Sequence, residues 1–217
     1  MDPIVAQIEV GPMANFAYIF GCKITHEVVL IDPTAETERL LRAVELLDAR
    51  LVGAINTHGH VDHVAGNAAL KRATGVPFYA HPAAGVGEGD PMSAMYLQML
   101  GGEPPPPPDR LVEGGHEIAV GEQRIKVLHA PGHTPGDVLL YAPGHLFTGD
   151  TLFVGAIGRT DLPGGSIETL YRSLREQVAP LPDDTVVYPG HDYGPRPTST
   201  VGEEMHHNPY FREALAG

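Results

Sequence analysis

Cysteine is almost missing from this chain: of 217 residues, only Cys22 carries a thiol. One thiol excludes an internal disulfide and a zinc site built from thiolates. Flanked by apolar residues and with no partner nearby, Cys22 reads as core filler, not as a nucleophile. Positive charge is scarce as well. Lys and Arg total 14 against 27 Asp and Glu, a formal net charge of −13. Proteins that bind nucleic acid neutralise phosphates with a basic face, so this balance argues that class of partner away. No run of 18 apolar residues occurs, so no membrane partner is expected. The first residues show no basic stretch followed by an apolar one, so no secretory leader is visible. With the lone Cys, this gives a cytoplasmic expectation.

What is present is an ordinary globular composition, 42% hydrophobic and 19% charged. The length suits one domain over residues 1–217 with a sizeable core. Residues 4–10 and 16–20 read as strands joined at Gly11-Pro12, and 27–31 as a third strand. Residues 36–47 carry apolar positions at Leu40, Leu41, Val44 and Leu47, the spacing of an amphipathic helix, with Thr34 as its expected N-cap. A strand at 51–55, a helix at 64–73 and a strand at 76–80 follow. Between 83 and 110 Gly and Pro dominate; one short helix is expected at 92–100. The five prolines at 104–108 read as a stiff connector, because polyproline cannot join a sheet. Hairpins are expected at 118–128 and 138–148, a helix at 166–178 capped by Ser166, and a last strand at 185–188. Two strand sets, each with helices, split near residue 110. That pattern fits two sheets packed face to face with helices outside, though composition alone leaves other α/β layouts open.

The densest chemistry lies in Thr57-His58-Gly59-His60-Val61-Asp62-His63, where three His and an Asp fall within six residues. Burying unpaired polar groups costs several kcal/mol, so a segment like this has no place in a packed core unless it serves a site. Imidazole and carboxylate are ligands that suit zinc, iron or manganese. Three more turns place a His or Asp beside Gly just after a strand: Gly132-His133, Gly149-Asp150 and Gly190-His191. The other histidines (His26, His81, His116, His129, His145, His206 and His207) fit no pattern and read as structural or surface.

The order H-x-H-x-D-H, then His, Asp and His, resembles the dinuclear site of the metallo-β-lactamase superfamily, over nearly the whole chain. The resemblance implies an α/β fold of the αββα four-layer sandwich type. By position it implies His58, His60 and His133 on one metal and Asp62, His63 and His191 on another, with Asp150 bridging. The implied cofactor is two divalent ions, zinc first, with iron or manganese as alternatives. His60 stands where flavodiiron relatives carry glutamate. Asp32 and Thr57 are the expected groups that fix imidazole orientation.

Two stretches, Gly158 through Gly165 and Thr198 through Glu204 with Asn208-Pro209, are similar to short glyoxalase II-like hydrolases. The implied reaction is hydrolysis of a small-molecule thioester, such as an S-acylglutathione-like substrate, by a hydroxide bridging the metals, with Asp62 and Asp150 as catalytic carboxylates. The loop lysine and tyrosine of glyoxalase II stand here as Arg159 and Asp161. Arg159 is expected either to contact a substrate carboxylate or to brace the loop by pairing with Asp161. The rival resemblance is to persulfide dioxygenases, which hold one Fe(II) through two His and one Asp, matching His58, His133 and Asp150. The segment His191-Asp192-Tyr193 resembles theirs, with Tyr193 as a hydrogen-bond donor near a thiol-derived substrate. Lactonase, β-lactamase and nuclease chemistries rank lower, and a non-catalytic binder ranks low because all seven ligand positions are filled.

Overall fold

Alternation of side chains along the strands explains the layering seen in the computed structural model, which describes residues 2–85 and 93–217. The first sheet runs in sequence order: β1 (Ile4–Val10), β2 (Asn15–Gly21), β3 (Glu27–Ile31), β4 (Arg50–Ile55), β5 (Phe78–Ala80) and β6 (Arg110–Leu111). Because successive side chains point to opposite faces, β2 sends Phe16, Tyr18 and Phe20 one way and Ala17 and Ile19 the other. The second sheet contains β7 (Glu117–Val120), β8 (Gln123–His129), β9 (Val138–Ala142) and β10 (His145–Gly149). A small separate hairpin follows, β11 (Leu152–Phe153) with β12 (Ala156–Ile157). The second sheet is completed on the far side of β10 by β13 (Val186–Pro189) and β14 (Ser199–Thr200).

Phe16, Tyr18, Phe20, Val29 and Ile31 of the first sheet meet Val127, Leu140 and Phe147 of the second in one inner core. Phe147 lies edge-on to both Tyr18 and Phe20, with centroids 5.1 and 5.5 Å away. Each such buried ring contributes roughly 1.5–3 kcal/mol by leaving water. Outside the first sheet, α1 (Thr37–Leu46) and α3 (Asn67–Thr74) bury Leu40, Val44 and Leu70 against Ile19, Leu30 and Phe78. On the far face, α5 (Ile167–Ser173), α6 (Val201–His207) and α7 (Pro209–Ala216) cover Leu139, Leu146 and Val187. The result is the αββα sandwich. Among the described residues, no helix is long and apolar enough to cross a membrane. Cys22 is buried just past β2.

Several expectations need correction. Thr34 does not cap α1; its hydroxyl is buried without a partner, and the cap position is Glu36, in a left-handed conformation at φ 61°. The reversal after Asp32-Pro33 delays the helix, and the Glu36 carboxylate accepts from the Gly11 amide instead. The helix expected at 64–73 starts earlier, because α2 (Val61–Val64) already contains Asp62 and His63. It breaks at Gly66, where a Cβ would lie 1.9 Å from the Thr34 carbonyl oxygen, and α3 takes over. The helix at 166–178 is α-helical only to Ser173 and closes with a π-type turn over Leu174–Val178. The short helix expected at 92–100 is α4 (Ser93–Met99), and Met92 lies outside the described residues.

Candidate metal centre

The candidate ligands converge because their strands are parallel at the positions that matter. β3 and β4 run parallel, as do β10 and β13, so Asp32, Thr57-His58, Asp150 and His191 all leave the same edge of the sandwich. The two sheets are tied together there: the Val138 amide donates to the Thr57 carbonyl at 2.9 Å, and the Phe16 amide to the Gly190 carbonyl at 2.8 Å. Gly190 is required by closeness. A Cβ on it would stand 2.3 Å from Asp150 Oδ1 and 2.9 Å from His63 Cε1.

All seven candidate ligands fall into overlapping groups whose donor atoms lie within 4.8 Å of one another: His58, His60 and His133; His58, His63 and Asp150; Asp62, His63 and His191. Asp150 straddles them. Its Oδ1 is 3.2 Å from His63 Nε2, and its Oδ2 is 3.4 Å from His191 Nε2 and 3.7 Å from His133 Nε2.

Hydrogen bonds on the outer side of each ring set which nitrogen faces inward. Asp32 Oδ1 accepts from the Thr57 amide and Oδ2 from the Thr57 hydroxyl, each at 2.7 Å. With its proton committed to Asp32, Thr57 Oγ1 can only accept from His58 Nδ1, 3.1 Å away. Asp32 Oδ2 also accepts from His63 Nδ1 at 3.0 Å. His133 Nδ1 donates to the Arg159 carbonyl at 2.7 Å, and His191 Nδ1 to the Met13 carbonyl at 2.9 Å. Each of these four rings therefore turns an Nε2 lone pair inward when neutral. His63 Nε2 and His191 Nε2 face each other at 3.2 Å, and His133 Nε2 faces His60 Nδ1 at 2.9 Å. His58 Nε2 is buried with no hydrogen-bond partner at all. With both rings neutral the His63 and His191 lone pairs would repel, and the orphan His58 acceptor is costly to bury, so this donor set fits divalent cations.

The charges point the same way. Burial, then the neighbouring His63, hold His58 well below the usual imidazole range; burial and His133 bring His60 down to about 4. Burial also opposes charge on His63 and His191, but Asp150 and Asp62 outweigh it. His63 lies well above its usual value and His191 is raised to about 9. Burial works to raise Asp150, yet His191 and His63 keep it well below the carboxylate range. The metal-free centre thus holds two imidazolium–carboxylate pairs where cations fit.

The centre floors a cavity of about 520 Å³ whose walls include Met13, Val61, Tyr96, Phe153, Ile157 and Leu162. Tyr193 is 57% exposed and stacks on His191, centroids 4.5 Å apart at 11°. Burial, then the Asp150 charge, push its hydroxyl up to about 12. The Arg159 side chain forms a bidentate pair with Asp161, at 2.8 and 2.7 Å, on the cavity rim. The pair with Asp161 is the one that braces the loop. His81 and His129 stack on each other at 4.2 Å, and neither lines the cavity.

Three contributors went unread in the sequence. Asn15 Nδ2 donates to Asp62 Oδ2 at 3.0 Å, and Met13 offers only a carbonyl; neither leaves a sequence signal. Asp137 accepts from the His133 and Thr134 amides and shapes the His133 turn. An Asp four residues after His133 in a Gly- and Pro-rich stretch is a turn signal that could have exposed it.

A four-layer αββα sandwich with imidazole and carboxylate donors at one strand edge defines a class of metal-dependent enzymes. Residues 10–191 match the metallo-beta-lactamase superfamily, and the chain belongs to it. Among its relatives, human "Persulfide dioxygenase ETHE1, mitochondrial" is 35% identical over 211 residues, covering 95% of this chain and 76% of that protein. "Hydroxyacylglutathione hydrolase GloC" from Haemophilus influenzae is also 35% identical, over 217 residues, covering 94% of this chain and 97% of that one. Among solved structures, TTHA1623 in a di-iron-bound form is 36% identical with a TM-score of 0.83, covering 95% of this chain and all of that one.

Proposed function

We propose that this protein is a dinuclear metallohydrolase that cleaves a small-molecule thioester. The observation that carries the reading is Asp150, one carboxylate within 3.2–3.7 Å of donor nitrogens from both triads. Two cations held in adjacent triads would need a shared anionic oxygen, and Asp150 would supply it. His58, His60 and His133 would hold one ion; Asp62, His63 and His191 the other. When bound, the ions supply an acidified water and polarise a carbonyl. The chain's own work is positional. Asp32, through Thr57 and directly, keeps His58 and His63 in the tautomers that face inward. Asn15 holds Asp62 Oδ2 toward the cavity floor. Met13, Val61, Phe153 and Leu162 exclude water around the acyl group. A thiolate leaves readily, since its conjugate acid has a pKa of about 8.5, so no strong general acid is needed. None of the cavity-lining groups has to play that part. Zinc is the first-choice metal, with iron or manganese as alternatives.

A second reading is supported by the identity to human persulfide dioxygenase: one Fe(II) on His58, His133 and Asp150, acting on a persulfide with oxygen. Elemental analysis of protein purified anaerobically without chelators separates the two. About two equivalents of metal, with turnover of an S-acyl thiol, is the expected result. One equivalent of iron with oxygen uptake on a persulfide would overturn it. Asp150→Ala should abolish turnover while leaving a folded protein; full activity in that variant refutes the site.

A further inference from the structure

The hairpin β11–β12 forms one wall of the cavity through Phe153, Ala156 and Ile157. Its two strands have only two residues each, too few to hold a shape alone. What holds it comes from the other side, from the C-terminal helices. Glu204 of α6 is buried, 3% exposed, and its Oε2 accepts from the Gly155 amide at 2.9 Å and from Asn208 Nδ2 at 2.8 Å. Asn208, fully buried between α6 and α7, also donates Nδ2 to the Ala156 carbonyl at 2.9 Å. Gly155 sits at the tip of the hairpin with φ +76°. Two side chains thus grip both sides of a turn whose Phe153 ring lies edge-on to His191 and Tyr193, centroids at 5.9 and 5.4 Å. Burying a carboxylate is costly, and an apolar side chain would serve packing at that position better. The carboxylate there answers the hairpin's backbone donor.

We propose that Glu204 and Asn208 are positioning residues for this wall, and that the wall receives the uncharged apolar tail of the substrate. The clamp stands on geometry alone; only the identity of the tail as an acyl group rests on the thioester reading. Asn208 has two separable duties. Its Oδ1 accepts from the Tyr210 and Phe211 amides as the N-cap of α7, and its Nδ2 makes the clamp. Asn208→Asp keeps a good cap but sets a carboxylate against Glu204 and the Ala156 carbonyl.

The test uses metal-loaded protein and acetyl, butyryl and hexanoyl thioesters of one neutral thiol, N-acetylcysteamine, together with amide exchange at Gly155. Wild type should show kcat/KM rising with chain length. Asn208→Asp should lose about tenfold on the hexanoyl ester, mostly in KM, and much less on the acetyl ester. The Gly155 amide should exchange faster while the Thr134 amide is unchanged. Phe153→Ala, which leaves the clamp intact, should flatten the same series. An unchanged Gly155 exchange rate in Asn208→Asp, or an unchanged chain-length profile in Phe153→Ala, overturns the proposal. If wild type turns over no thioester, the reading of the reaction fails separately. Butanethiol and hexanethiol affinities, with Gly155 exchange, then decide the wall's role.

Discussion

Replacing Asp32 with Asn changes one atom and tests the logic of the whole centre. Asp32 is buried, and its two oxygens accept from the Thr57 amide, the Thr57 hydroxyl and His63 Nδ1. If the new amide nitrogen takes the place of Oδ2, it donates to Thr57 Oγ1, whose proton then turns toward His58 Nδ1. His58 must flip tautomer and point Nε2–H into the site, while His63 loses its acceptor. If the nitrogen takes the place of Oδ1, it confronts the buried Thr57 amide, leaving that donor unsatisfied at a cost of about 1–3 kcal/mol. Both outcomes weaken ligands that the substitution never touches. Loss of such an outer partner typically lowers metal affinity by about 10–100-fold. That corresponds to roughly 1.4–2.7 kcal/mol. Competition for zinc against a chromophoric chelator at fixed pH measures it. The rise in melting temperature on adding zinc should shrink accordingly. A dissociation constant within about twofold of wild type, in a folded variant, would refute the tautomer argument.

Three further outcomes are expected. Because His191 is raised to about 9 in the metal-free centre, and His63 is raised as well, cations must displace protons to bind. Apparent affinity should therefore climb with pH, by about 100-fold from pH 6.5 to 8.5 for the His191 proton alone, and chelator competition across that range would show a flat profile if the pairing is wrong. For the metal-free fold the sign is opposite: the raised His191 stabilises fully below its ordinary value of 6.5, and that stability is lost as pH rises through about 9, which chemical denaturation of chelated protein can follow. Gly190→Ala should cost about 1–3 kcal/mol in denaturant unfolding and lower metal content, since its Cβ would press on Asp150 and His63. Normal loading in that variant would show that the edge yields more easily than its spacing suggests.

The layered fold was legible because short aromatic and branched runs and helical spacing are local signals, the first carried by β2 and the second by α1. The seven candidate ligand positions were legible because imidazoles and carboxylates beside Gly at strand ends have few bland explanations. The Thr34 cap misled because a side chain two residues from a helix cannot announce that the backbone reverses at Glu36 first. The C-terminal helices could have been read from the capping box of Thr200 with Glu203 and from Asn208-Pro209, where Pro occupies the first turn of α7. The contributions of Asn15 and of the Met13 carbonyl had no local mark. They exist only because β13 returns beside the start of β2, pairing Asn15 with His191.

That pairing gives the division of donors a mechanical meaning. His58, His60, Asp62 and His63 belong to the first sheet's half of the chain, while His133, Asp150 and His191 belong to the second. The polyproline run at 104–108 lies between them. Neither half owns a complete set, so cations seated there would act as rivets across the seam between the sheets. Stripping them should open the sandwich first along that edge, making the strength of the seam an adjustable quantity set by free metal and not by sequence alone.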